Sequence, residues 1–158
     1  MPGITVTPLA AEQIETVYPL VREVVPNLDR ASWRRHARRV LGAGRAGVMV
    51  AQRDGRAHPC GMFCYHIEQD LDGASVLVAN HLVALDILDP QPVLAVLVAE
   101  LDALAARFGC VAVRAAVADA AVQVAAVLAH AGHRREGQTL GKPAGNGPRR
   151  YRRSARAA

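Results

Sequence analysis

No stretch of this chain stays apolar for the roughly 18 residues that a membrane span requires, and its start lacks a basic segment leading into a hydrophobic signal core. No membrane association is therefore expected, and a cytoplasmic location is the default expectation. Cysteine is scarce and odd in number. Cys60, Cys64 and Cys110 lie in apolar, strand-like segments, which predicts small buried side chains of a reducing compartment and no disulfide. Aromatic residues make up only 4%, and the 51% apolar fraction comes mostly from Ala, Val and Leu, as in a well-packed α/β or α+β protein. There is no Gly-x-Ser-x-Gly elbow, no phosphate loop ending in Gly-Lys-Ser/Thr and no paired-cysteine zinc spacing.

Acidic residues are missing from the tail, where Arg149, Arg150, Arg152, Arg153 and Arg156 account for the net charge of +5. Outside those five, basic and acidic residues number 14 each. The basic character is thus local, and nucleic acid is not expected as a partner. Residues 1–141 read as one domain and residues 142–158 as a Gly/Pro linker with a basic tail, whose reading as a final strand stays open.

What is present sorts cleanly by period. Ile4 to Pro8 alternates as a strand does. From Ala11 the residues Ile14, Val17, Tyr18, Val21, Val24 and Val25 recur at helical spacing, with Pro19 expected to kink or split that helix. A second helix follows, capped by Asp29 or Ser32, with Trp33, Ala37, Val40 and Leu41 inward and Arg30, Arg34, Arg35, Arg38 and Arg39 outward. Gly42 and Gly44 end it. Val48–Gln52, Pro59–Glu68 and Ser75–Leu85 read as three antiparallel strands joined at Asp54-Gly55 and Asp72-Gly73.

The third of these strands is apolar on both faces, Leu77, Ala79, Val83 and Leu85 on one and Val76, Val78, Leu82 and Ala84 on the other, so both faces should be covered. Asp89 as N-cap and Pro90 at the first helical position open a helix with the buried row Leu94, Leu97, Leu101, Leu104 and Phe108. Cys110–Val117 should return as a parallel strand, Ala120–Ala131 as a helix capped by Asp119, and His133–Leu140 as one more strand.

His58, Cys60, Met62, Cys64 and His66 share one face of a strand and carry metal-binding atoms, yet Cys60 and Cys64 would stand about 13 Å apart, too far for one ion. No metal is expected. His81 interrupts an apolar strand and has an unperturbed pKa near neutrality, so it is the first candidate for a general base. Glu68 and Asp86, at strand ends, come next. The alternatives are a hydrogen-bonded core histidine at His81 and, at Asn80, a strand bulge or a bridge to a neighbouring loop.

The order strand, two helices, three antiparallel strands, helix, strand, helix, strand resembles the GCN5-related N-acetyltransferase (GNAT) family over residues 4 to 140. That resemblance implies a mixed, mostly antiparallel sheet with helices on both faces. It also implies acyl transfer from acetyl-CoA to a small-molecule or peptide amine, with a homodimer allowed. The central strand and the helix after it would hold the cofactor through Leu82, Val83, Leu85, Gln91, Val93 and Leu94. His81 or Glu68 would act as base, and Trp33 and Tyr65 would flank the acceptor.

Two departures stand against it. The family's signature of Gln or Arg, two residues, Gly, one residue, then Gly or Ala falls here on Asp89, Pro92 and Leu94, and Pro90 and Pro92 delete two backbone donors. The tyrosine that would protonate the leaving thiolate is replaced by Leu128, with His130 nearby. A domain of the same fold without catalysis, binding another ligand or a protein partner, is the alternative reading.

Overall fold

The computed structural model describes residues 3–142 and residue 144; the basic tail, with the last-strand reading attached to it, lies outside them. Strand β1 (Ile4–Pro8) and a 3-10 turn (Ala11–Gln13) lead into helices α1 (Ile14–Val24) and α2 (Arg30–Leu41). Strands β2 (Ala46–Arg53), β3 (Gly61–Gln69) and β4 (Ser75–Ala84) follow. Helix α3 (Gln91–Phe108), strand β5 (Ala112–Ala115) and helix α4 (Val122–His130) complete the series. The sheet runs β1-β2-β3-β4-β5, antiparallel except for the parallel pair β4–β5. Gly55 and Gly73 take positive φ at the two hairpin turns, as Asp-Gly pairs require.

Two cores lie on the two faces of this sheet. On one face, α1 and α2 place Ile14, Val17, Leu20, Val21, Trp33 and Ala37 against Val48, Val50 and Met62. On the other, Val93, Leu94, Leu97, Val98, Leu101 and Leu104 of α3, with Val124 and Leu128 of α4, pack on Met49, Phe63, Leu77, Ala79 and Leu82. Gly61 is what lets α3 come so close. A Cβ there would stand 2.8 Å from Val93 Cγ1 and 2.9 Å from Leu97 Cδ1.

Several local expectations are corrected. Helix α1 carries Pro19 without splitting, and residues 133–140 form no strand. Pro90, not Asp89, is the N-cap residue of α3, and α4 begins at Val122 without a side-chain cap. Leu41 and Phe108 are exposed at the ends of their helices, where the sheet no longer covers them. At α2 the Asp29 carboxylate accepts the Ser32 N–H at 2.8 Å, as a cap should.

The largest correction concerns β4. Met62 is opposite Val83 and Cys64 opposite Asn80, so β4 carries one residue more than β3 between these pairs. His81 takes φ of 55°, in the left-handed region that non-glycine residues seldom occupy. This is a β-bulge, and it resets the alternation. Leu82 and Ala84 therefore face α3 together with Leu77 and Ala79, while Val83 faces α1 and α2, the reverse of strict alternation.

Candidate active site

The bulge at His81 coincides with the point where β4 parts from β5. Pairing runs only from Val76–Ala112 to Ala79–Ala115, and the Ala116 N–H donates to the Ala79 carbonyl at 2.8 Å. From Asn80 to Ala84 the strand continues beside β3 with no β5 partner. Among the described residues its outer edge thus offers unpaired backbone groups, which seek a ligand or water.

The His81 side chain stands at the surface on this edge. Loss of hydration lowers its affinity for a proton, and the nearby His36 of α2 lowers it further. His36 is shifted the same way, by burial and then by Arg39, and its ring lies 6.2 Å from that of Trp33. His81 is therefore a neutral imidazole at neutral pH, able to accept a proton. It is not the hydrogen-bonded core histidine of the alternative reading. His36 was not singled out by the sequence, where it is one polar residue among five arginines of a helix face. Only the three-residue spacing from Trp33 hints that it sits near the sheet.

Other candidates are dispersed. Glu68 is opposite Val76, five residues from His81 and so about 15 Å away along the strand. Its carboxylate meets His66 Nε2 at 2.8 Å instead. Asp86 is bound by Arg53 through Nε at 2.8 Å and Nη2 at 2.5 Å, and its other oxygen accepts the Leu88 N–H at 3.0 Å. Those bonds, the Leu88 one foremost, hold its carboxyl below the usual carboxylate range, so it is a brace and not a base.

Trp33 and Tyr65 do not share a pocket. Trp33 is 2% exposed in the α1–α2 core, its indole N–H donating to the Ile14 carbonyl at 2.7 Å. Tyr65 lies on the opposite face beside Phe108, with its ring over Gly47. Two outward arginines of α2, Arg30 and Arg34, are tied to Glu15 of α1. Leu128 is buried and His130 is exposed at the end of α4. Among the described residues no cluster of His, Cys, Asp or Glu could hold a metal ion, and all three cysteines are free. No described helix is long and apolar enough to cross a membrane.

At the start of α3 the residues expected to hold a cofactor divide. Leu82, Val93 and Leu94 turn their side chains into the core, whereas Leu85 and Gln91 are exposed and Val83 is half-buried. A cleft of about 880 Å³ lies alongside, between Arg53–Cys60 and Leu85–Asp89; it includes none of His81, Trp33 or Tyr65.

Comparison with solved structures gives the same architecture several times over. Over 92% of this chain and 97% of the other, it superposes on the aminoglycoside N-acetyltransferase AAC(6')-Iy in complex with CoA, with a TM-score of 0.80 at 14% identity. The fold is that of the GNAT acetyltransferases. AAC(6')-Ih from Acinetobacter baumannii matches 92% of this chain and 100% of its own, with a TM-score of 0.75 at 15% identity. Glucosamine-6-phosphate N-acetyltransferase from Arabidopsis thaliana matches 89% and 97%, with a TM-score of 0.74 at 12% identity. No family profile and no curated protein matches the sequence.

The two halves of the site differ in what their backbone offers. The β4 edge from Asn80 to Ala84 has no β5 partner, whereas at the α3 corner the Gln91 N–H already donates to Asp89 Oδ1 at 2.9 Å and Pro92 has no N–H.

Proposed function

We propose that this chain is an N-acyltransferase that moves an acyl group from an acyl-CoA-type thioester to the amine of a small molecule. The observation that carries the reading is the β4 bulge, which puts a proton-accepting imidazole, His81, where the strand's backbone leaves its β5 partner. Support from the comparisons is of the fold, and two of the similar enzymes are aminoglycoside acetyltransferases whose acceptors are amines.

The chemistry asked of this chain is modest. An amine is protonated and non-nucleophilic at neutral pH, so a base must remove a proton before or during attack on the thioester carbonyl. Neutral His81 takes that proton, and the surface position of its ring lets an acceptor approach it. His36 of α2 lies near it. A carbonyl in the unpaired edge would meet backbone donors that are otherwise unsatisfied. No protein group is assigned to protonate the departing thiol, whose own pKa lets it leave as thiolate.

The test is nuclear magnetic resonance titration with millimolar acetyl-CoA, followed by thiol release with a panel of primary amines. Shifts centred on the Asn80–Ala84 amides together with amine-dependent thiol release are expected. Absence of both would leave a GNAT-fold domain without catalysis and overturn the reading.

A further inference from the structure

We infer that the corner at the start of α3 is closed to a nucleotide diphosphate, and that this chain recognises its acyl donor by a pantetheine-type arm alone. The inference rests on the N-acyltransferase reading and narrows its donor to a class: thioesters on an amide-bearing arm, with no contribution from the nucleotide end.

The backbone donors of the corner are nearly all consumed within the chain. Gln91 N–H goes to Asp89 Oδ1 at 2.9 Å, Leu88 N–H to Asp86 Oδ1 at 3.0 Å and Leu94 N–H to the Pro90 carbonyl at 3.0 Å. Pro90 and Pro92 have none to give. The Asp89 N–H turns to the Asp86 carboxylate, so among the described residues from Leu88 to Leu94 the Val93 N–H is left without a partner. Of the two arginines that line the adjacent cleft with Asp89 and Pro92, Arg53 spends two donors on Asp86, and Arg56 is held by no ion pair among the described residues.

Two carboxylates thus stand where a diphosphate would bring further negative charge. The Asp89 carboxylate already occupies the favourable end of the helix dipole, as the chain's own substitute for an anion. On the chain leading into it, Ile87 and Leu88 are fully exposed and Leu85 partly so. These apolar side chains offer a diphosphate no bond, and Asp89 repels it. The β4 edge from Asn80 to Ala84, by contrast, retains what an amide-bearing arm requires.

The consequence is a ratio. In a site that grips the diphosphate through two charge-assisted hydrogen bonds, removing the nucleotide end lowers affinity by about a hundred- to ten-thousandfold. Here free coenzyme A and free pantetheine should bind within about threefold of each other, because the nucleotide end adds no bond.

The experiment is calorimetric titration of the full chain with coenzyme A and with pantetheine, in parallel with the amide shifts of Asn80–Ala84. Near-equal affinities, with shifts on β4 and none at Val93, are the expected result. Coenzyme A binding more than about thirtyfold tighter than pantetheine would overturn the inference while leaving the transferase reading intact. Binding of neither ligand at millimolar concentration would remove the transferase reading itself, and the inference with it. The double variant Asp89→Gly, Pro92→Gly supplies a second arm, since it frees the Gln91 N–H and restores one donor. It should tighten coenzyme A by about tenfold or more and leave pantetheine unchanged; a folded variant with an unaltered ratio would also overturn the inference.

Discussion

His36 of α2 and His81 of β4 come close enough that a positive charge on His36 lowers the proton affinity of His81. Loss of hydration acts on both rings in the same direction. If His81 is the base, kcat/KM rises with pH through its pKa, and the midpoint lies below the ordinary value of 6.5. His36→Gln removes the neighbouring charge and should move that acid limb to higher pH without abolishing turnover. Imidazole proton resonances followed through a pH series would check the assignment directly, and an unmoved limb would show that His81 is not the group reporting.

The same two rings link pH to stability. Their folded pKa values lie below the unfolded value, so the unfolded chain binds more protons as pH drops through 6.5. Stability should therefore fall on acidification through that range and level off only below the folded values. Urea midpoints at about pH 7.5 and about pH 5 measure this, and a His36→Gln, His81→Asn double variant should flatten the slope.

Gly61 yields a prediction about packing alone. Any side chain there meets Val93 Cγ1, Leu97 Cδ1 and the Val83 carbonyl at 2.8, 2.9 and 3.1 Å. Neither a backbone carbonyl nor two fully buried side chains can yield easily. Gly61→Ala should cost about 1–3 kcal/mol by urea unfolding, and because α3 would be pushed from β3, the α3 corner should shift with it.

The sequence was legible where period and punctuation agree. Asp54-Gly55 and Asp72-Gly73 bracket β3 and define the hairpins, and the Leu94, Leu97, Leu101, Leu104 row identifies the buried side of α3. It was illegible where one backbone torsion decides the outcome. The strand-4 pattern reads as apolar on both faces, so shifting its phase by one residue leaves it apolar on both faces. Nothing in the letters says that Leu82 and Val83 exchange sides at His81. For the same reason Trp33 and Tyr65, both aromatic and both sheet-proximal, gave no sign that the sheet stands between them. Residues 133–140 read as a strand by composition alone, without the turn-flanked alternation that β2 and β3 show.

Trp33 separates structure from recognition. Its ring is enclosed by the α1–α2 core and its N–H ties α2 to the Ile14 carbonyl of α1. Trp33→Phe loses that bond and some volume, which should destabilise the fold by about 1–3 kcal/mol. The KM for an amine acceptor should stay the same, because the side chain does not reach the cleft. An increase in KM without a loss of stability would return Trp33 to the acceptor pocket.

His81→Gly distinguishes what the bulge needs from what the chemistry needs. At φ of 55° a glycine is unstrained, whereas histidine at a left-handed position carries a cost of order 1 kcal/mol. The variant should thus keep its fold and be at least as stable as the parent, with the bulge and the parting of β4 from β5 intact. Turnover of an amine acceptor should nonetheless fall by about 10²–10⁴ if the imidazole is the base. His81→Val removes the imidazole too, but a β-branched residue is poorly tolerated at positive φ, so it should lose stability as well. If His81→Gly retained full turnover at neutral pH, the bulge would matter only for its backbone, and the proton would have to go to another group, such as His36, or to water.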